Sequence, residues 1–146
     1  MAGGPSGPVV PLEQVGTPVP LWVSAFLLPL TVTPLDDGRT WLVDPPPFLY
    51  ESALLQRIFV VPVGQPTDFA SIPRMFWTLV GAPTGRYSRA AALHDYLYRT
   101  RGIVTRREAD DVLREAMGVC RVPRLTRWLV YWGVRLGGAS SYQGGL

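Results

Sequence analysis

Apolar and polar positions in the first half of the chain follow the period-two pattern that is typical of β-strands. Residues 21–35 are apolar and rich in β-branched side chains. An Asp-Asp-Gly turn follows at 36–38, and residues 39–43 complete a predicted β-hairpin. The Asp-Pro-Pro-Pro segment at 44–47 interrupts the sheet, because proline cannot donate a ladder hydrogen bond. Two further short strands are predicted over residues 48–52 and 56–64.

From Ile72 onward the spacing of apolar residues changes to the 3.6-residue period of helices. The first predicted helix covers residues 73–81 and opens with a proline at a first-turn position, where its missing N–H is tolerated. The second covers residues 88–100, with Ser88 as its predicted N-cap.

Two more helices follow with clear start and stop signals. The third begins at Thr105, which forms a predicted capping box with Glu108, and it runs to about Met117. The fourth begins near Pro123 and ends at the glycine pair 137–138. Strands first and helices after predict an α+β fold, in which a small N-terminal antiparallel β-sheet precedes about four helices.

The ends of the chain differ in composition from this domain. Residues 1–20 carry proline and glycine at close intervals, which predicts an extended arm that could dock along a partner surface. Residues 21–138 form the predicted single α+β domain, and residues 139–146 form a C-terminal tail.

The last predicted helix carries a stripe of large apolar side chains. The stripe consists of Leu125, Trp128, Leu129, Trp132 and Leu136. A helix of this kind usually packs its stripe into the core, and we expect that arrangement here. The alternative is a helix that lies in the interface of a membrane.

Charge is unevenly distributed along the 146 residues, although the net charge is only +3. Residues 1–73 hold two arginines against six acidic residues, whereas residues 74–146 hold twelve arginines against five. A basic half can contact nucleic acid, an anionic membrane or an acidic protein. No RNP, zinc-finger or basic-zipper pattern is present, so no specific nucleic acid partner is predicted.

Single copies of cysteine and histidine exclude two further classes of site. Cys120 has no cysteine partner within the chain, so an intrachain disulfide is impossible. One cysteine and one histidine cannot supply the four ligands of a usual structural zinc site. The N-terminus lacks the charged region of a secretion signal. The longest apolar run, residues 21–30, is half the roughly 20 residues of a membrane span, so no transmembrane segment is predicted.

The one histidine, His94, lies in the second predicted helix. On a helical wheel, Ala90, Leu93 and Leu97 define the direction of the core, and His94 lies at the edge of that face. Asp95 lies well outside it. Such a histidine is commonly a structural residue with one hydrogen bond.

The third predicted helix offers a carboxylate to this histidine. Asp110 borders the apolar stripe of that helix and Asp111 points away from it. A short connection makes the two helices antiparallel, so His94 is expected within hydrogen-bond reach of Asp110, or of Asp68 in the loop before the first helix, along an edge shared with Asp95 and Tyr98. A carboxylate at one imidazole nitrogen fixes the tautomer and leaves the other nitrogen to accept a proton from water. His94 and Asp110 are therefore the candidate catalytic residues of a general-base hydrolase.

Three motifs resemble those of a phage- and prophage-encoded family of small proteins of unassigned function. They are Thr-Asp-Phe-Ala-Ser-Ile-Pro at 67–73, His-Asp-Tyr-Leu-Tyr at 94–98 and Glu-Ala-Asp at 108–110. The resemblance implies a tailed-phage or gene-transfer-particle context. Together with the arm and the short edge strands, it predicts a minor structural protein of the virion, at the tail tip, baseplate or neck, that carries a His-Asp hydrolase-like site. Its partners would be other phage structural proteins, contacted through the N-terminal arm and the sheet edge. The alternative is a phage-encoded esterase, lipase-like or cell-envelope hydrolase with His94 as base.

The segment at 94–98 is also similar to the His-Asp-x-Cys-Tyr motif of secreted calcium-dependent phospholipases. That resemblance implies His94 as base, Asp95 as a calcium ligand and Asp110 as the residue that orients His94, with Asp68 as a possible second calcium ligand. The chain departs from the pattern because it has leucine in place of the motif cysteine. It also lacks the disulfides and the glycine-rich calcium loop. Asp68 or Ser71 could instead cap the entry to the first helix.

Overall fold

The computed structural model describes residues 21–69, Thr78 and 87–143. The predicted arm over residues 1–20 lies outside the described residues, as does the predicted helix over 73–81 apart from Thr78. Where the chain is described, short antiparallel strands come first and helices follow. This order confirms the predicted α+β class.

The described strands form two small antiparallel sheets rather than the one that was predicted. The strands are β1 (Ala25–Phe26), β2 (Val32–Pro34), β3 (Trp41–Val43), β4 (Phe48–Ser52), β5 (Arg57–Val61) and β6 (Pro66–Thr67). One sheet has the order β1-β4-β5 and the other has the order β2-β3-β6. Pro29 divides the apolar segment 21–35 into β1 and β2, and the prolines at 45–47 separate β3 from β4. Each half of the divided segment therefore pairs in a different sheet.

The predicted hairpin is present between β2 and β3. The backbone N–H of Leu35 donates to the Thr40 carbonyl at 2.8 Å, and Gly38 adopts a φ of 68° that favours glycine. The Asp37 carboxylate accepts hydrogen bonds from the Thr40 hydroxyl and from the backbone N–H groups of Arg39 and Thr40. These bonds lower the pKa of Asp37 to about 2. The turn is therefore stabilised by its own side chain.

Three α-helices lie in the described part of the chain, and they match the last three predicted ones. They are α1 (Ser88–Arg99), α2 (Arg106–Val119) and α3 (Arg124–Gly137), and a short 3₁₀ helix follows at Gly138–Ser140. The capping box is confirmed, since the Thr105 hydroxyl accepts from the Glu108 N–H while the Glu108 carboxylate accepts from the Thr105 N–H. The predicted N-cap Ser88 is wrong. Tyr87 occupies that position without a side-chain cap, and its ring is completely buried, so packing sets the start of this helix.

The core lies between the sheet β1-β4-β5 and the helices. The sheet contributes Phe48, Tyr50, Phe59 and Val61, and the helices contribute Leu93, Leu97, Val112, Leu113, Met117, Val130 and Val134. Glu115 of α2 connects the two layers, because its carboxylate accepts from Ser24, from Ser52 and from the Leu54 backbone at 2.5–2.9 Å. This arrangement fixes α2 against the sheet and leaves its other side to contact α1 and α3.

The apolar stripe of α3 does not pack into the core, so the expectation for this helix is wrong. Its five side chains are between 39% and 83% exposed, whereas Val130, Tyr131 and Val134 face the core. The helix is apolar on two sides, and a helical wheel alone does not distinguish which side is covered. No helix in the described ranges has the length and apolar character needed to cross a membrane.

Candidate functional site

His94 and Asp110 meet at the interface of α1 and α2. The two helices pack against each other along their lengths, and the Nε2 atom of His94 lies 2.9 Å from Oδ1 of Asp110. Both side chains are fully buried. The structure therefore contains the His94–Asp110 contact that the positions on the two helical wheels predicted. Asp110, rather than Asp111, is the partner of His94.

Asp110 is the centre of a larger buried cluster. The Tyr98 hydroxyl donates to its Oδ1 at 2.5 Å, and the Arg135 guanidinium donates to its Oδ2 at 3.0 Å. The Nε atom of Arg106, one turn earlier on α2, lies 3.9 Å from the same Oδ2. We call His94, Tyr98, Arg106, Asp110 and Arg135 the Asp110 cluster. Its members come from all three described helices, so a single carboxylate connects them.

The cluster holds its members in defined charge states. Burial alone would raise the pKa of Asp110, but hydrogen bonds from His94, Tyr98 and Arg135 outweigh it and hold that pKa below its ordinary value. Burial, together with the adjacent carboxylate, raises the pKa of Tyr98, and the hydrogen bond to Asp110 raises the pKa of Arg135. At neutral pH the cluster thus contains a carboxylate, a neutral phenol and a charged guanidinium.

The second ring nitrogen of His94 is unusual for a buried polar atom. Nδ1 is buried, and it has no hydrogen-bond partner among the residues that the structure describes. The carboxylate at Nε2 favours the tautomer with its proton on that nitrogen, which leaves Nδ1 as an acceptor. The whole residue is only 1% exposed. His94 therefore has the chemistry of a base but no contact with solvent in this conformation.

Asp95 belongs to a second, adjacent cluster. The prediction that it lies outside the core is wrong, because it is 5% exposed. Its Oδ2 accepts from the Thr67 hydroxyl at 2.8 Å and from the Asp68 backbone N–H at 3.2 Å. The end of β6 covers this face of α1, and a helical wheel of α1 alone contains no information about that strand. Arg99 lies 3.3 Å from the Asp68 carboxylate and 3.8 Å from that of Asp95.

These residues do not fit the calcium site that the resemblance to phospholipases implies. Calcium takes six to eight oxygen ligands, whereas here two carboxylates share the positive charge of the Arg99 guanidinium. In the described ranges no group of three or more histidine, cysteine, aspartate or glutamate side chains could hold a metal ion. Asp68 and Asp95 therefore form an ion pair with arginine rather than a calcium cradle. Ser71, the other predicted capping residue of this segment, lies outside the described residues.

Sequence reasoning missed both arginines of the Asp110 cluster. Arg106 could have been found, because it lies four residues before Asp110 on the same helix and faces the same side. Arg135 had no local signal, since its contact with Asp110 spans 25 positions and depends on how α3 packs. The neighbouring contact between Thr67 and Asp95 spans 28 positions and was equally inaccessible.

Comparison with known proteins gives a family but no activity. A relative described as uncharacterized protein y4jT, from Sinorhizobium fredii (strain NBRC 101917 / NGR234), is 36% identical over 78 aligned positions. The alignment covers 51% of this chain and 22% of that protein, so the chain spans about a fifth of the relative's length. No solved structure shows a significant match. A family model described as Protein of unknown function (DUF1353) matches residues 42–134, from β3 to α3, and the chain therefore belongs to this family.

Proposed function

We propose that this protein is a minor structural component of a tailed-phage or phage-like particle, located in the virion at the tail tip, baseplate or neck. In this proposal the Asp110 cluster has a structural role: it holds the three described helices in a fixed arrangement. The observation that carries this structural role is the fully buried Asp110 carboxylate, which accepts hydrogen bonds from both α1 and α3.

The energetics of the cluster favour a structural role. A buried carboxylate is tolerated only where donors replace the water it has lost, and Asp110 has donors on both oxygens. Removing the carboxylate from such a group leaves its donors without their shared acceptor, which typically costs about 3–5 kcal/mol. The solvent-inaccessible ring of His94 also favours a structural histidine over a working base.

The phage context rests on the three motifs at 67–73, 94–98 and 108–110, which resemble those of phage-encoded proteins. Partners would be other structural proteins of the particle. The strand β5 supports this idea, because it lies at the end of the order β1-β4-β5 and Val60 on it is 47% exposed. A sheet edge of this kind can pair with a strand of a neighbour. Residues 1–20, which the sequence predicts to be an extended arm, would provide a second contact.

Mass spectrometry of purified particles tests this proposal. Particles are induced from a strain that carries the gene and are separated from the lysate by density gradient. We expect the chain to co-purify with the tail proteins. A chain that is abundant in the lysate and missing from the purified particles would overturn the structural proposal.

A hydrolase is the second candidate, and the unpartnered Nδ1 of His94 favours it. In that reaction a water proton would pass to Nδ1 while the resulting hydroxide attacks an ester carbonyl. Asp110 would stabilise the imidazolium, and the proton would then pass to the departing alkoxide. The site would have to open, because the ring is buried here.

The variant His94→Ala separates the two candidates. Ester and phospholipid hydrolysis are measured for the wild type and the variant, with and without calcium, alongside their melting temperatures. A hydrolase would lose about 10²–10⁴ in rate with its fold intact. Loss of a structural histidine would cost about 1–3 kcal/mol of stability, because the buried Asp110 carboxylate loses one of its hydrogen-bond partners. Wild-type protein without turnover, and a variant that only melts earlier, would eliminate the hydrolase.

A further inference from the structure

The helix α3 presents an apolar surface to solvent that the proposed structural role does not explain. We call this surface the outer face of α3. It consists of Leu125, Trp128, Leu129, Trp132 and Leu136. The opposite side of the same helix packs into the core through Val130 and Val134. A helix that is apolar on both sides is normally buried on both sides, so the outer face needs a covering partner.

The exposed charges of the helical half have one sign. Between residues 87 and 143 every exposed charged side chain is an arginine: Arg101, Arg107, Arg121 and Arg124. All acidic residues of the same segment are buried or half-buried. The solvent-facing surface of the helical half is therefore both apolar and cationic.

A cleft of about 720 Å³ adjoins the outer face, between the β4–β5 turn and the first turns of α3. Three guanidinium groups, those of Arg114, Arg124 and Arg127, line it together with Trp128. The Arg114 guanidinium lies 4.7 Å from the centre of the Trp128 ring. Arg127 lies over Gly118, where a Cβ atom would come within 2.6 Å of its Nη1. The Trp128 ring thus positions Arg114, and the absence of a side chain at Gly118 makes room for Arg127.

The two acidic residues of the cleft both face groups of the protein itself. Glu115 accepts from Ser24, Ser52 and the Leu54 backbone, and Asp111 lies close enough to Tyr131 that burial and this carboxylate together raise the pKa of that phenol. The first turn of α3 contains no acidic residue and no side-chain cap. The positive end of the helix dipole, which lies beside the cleft, is therefore not offset by a negative side chain of the helix itself. The cleft suits an anion next to an apolar surface.

We propose that the outer face of α3 and this cleft bind the surface of an anionic phospholipid bilayer. The leucine and tryptophan side chains would enter the boundary between headgroups and acyl chains, and the arginines would contact lipid phosphates. Charge complementarity selects this partner, because a second copy of the chain would bring two arginine-bearing surfaces together. A nucleic acid would leave the five large apolar side chains uncovered.

Co-sedimentation of the full chain with vesicles tests the proposal. Vesicles of phosphatidylcholine alone are compared with vesicles that also contain phosphatidylglycerol, in low salt and at about 0.15 M salt. We expect binding to the phosphatidylglycerol vesicles, with weaker binding as salt rises. Failure of the wild type to bind them would overturn the proposal, and so would equal binding to both vesicle types.

Matched variants assign the binding to this surface. We expect Leu129→Ser and Arg124→Glu each to weaken it by about tenfold or more. The controls Leu35→Ser and Arg39→Glu make the same changes in the β2–β3 hairpin, and Leu35 and Leu129 are both 39% exposed. Melting temperatures verify that each variant is folded. If the controls weaken binding as strongly, the proposed surface is wrong.

Two other partners would also overturn the proposal. The first result is a stable dimer of the wild type that the variant Leu129→Ser dissociates, together with no binding to vesicles. The outer face of α3 would then be the interface between two copies of the chain. The second is binding to a DNA duplex without binding to vesicles. Size-exclusion chromatography with light scattering detects the dimer, and a gel-shift assay detects the DNA complex.

Discussion

At the residue scale, Asp110 shows how one buried carboxylate can determine the state of its neighbours. Each of its oxygens accepts a hydrogen bond, and its negative charge keeps the Tyr98 phenol neutral and the Arg135 guanidinium charged. His94 completes the set through Nε2. The contribution of each donor can be measured separately, because Tyr98 has a conservative replacement.

The variant Tyr98→Phe is expected to lose about 1.5–3 kcal/mol of unfolding free energy. It keeps the buried ring and removes only a hydrogen bond to a charged group. Urea denaturation measures the loss. Tyr96→Phe is the matched control on the same helix, since Tyr96 is only half-buried, and it should change stability by less than about 0.5 kcal/mol. Equal losses in the two variants would show that the hydroxyl of Tyr98 is not stabilising.

Acid should destabilise the protein partly through Asp110. Its pKa is lower in the folded state than in the unfolded chain, so its contribution is complete above the unfolded pKa, near 3.8, and disappears as the pH falls through the lower folded pKa. The unfolding free energy of the wild type should therefore decrease below about pH 4. Asp110→Asn should show a smaller decrease over the same range. Identical pH dependence of the two proteins would contradict the lowered pKa.

At the element scale, helix starts differ in whether local or distant residues determine them. The start of α2 is determined locally, by the reciprocal bonds between Thr105 and Glu108. The start of α1 has no side-chain cap, and the buried ring of Tyr87 precedes it. Sequence reasoning located the N-cap of α2 correctly. It misplaced the N-cap of α1 by one residue, because the burial of Tyr87 depends on tertiary packing.

This difference can be measured with two matched substitutions. Thr105→Ala removes a cap and should cost about 1 kcal/mol. Ser88→Ala removes a hydroxyl that does not cap α1, and alanine suits a helix, so it should be nearly neutral. Thermal unfolding of both variants beside the wild type provides the comparison. A larger loss for Ser88→Ala would contradict the observed caps.

At the scale of the whole molecule, contacts that lie close in sequence could be predicted and distant ones could not. The hairpin turn, the capping box and the phase that brings Asp110 to His94 all depend on residues within 16 positions of one another. Packing between distant segments determines the remaining features. These are the division into two sheets, the hydrogen bond from Arg135 to Asp110 and the exposure of the apolar stripe of α3. The pattern of apolar residues along a helix such as α3 does not specify which of its two apolar faces is covered by the core.

The unfolding free energy of Asp110→Ala, measured by urea denaturation against the wild type, tests the central claim most directly. The claim is that Asp110 connects α1, α2 and α3. The variant would leave His94, Tyr98 and Arg135 without their shared acceptor, so we predict a loss of about 3–5 kcal/mol. A loss below about 1 kcal/mol, within the range of an ordinary surface substitution, would contradict the structural role of the Asp110 cluster.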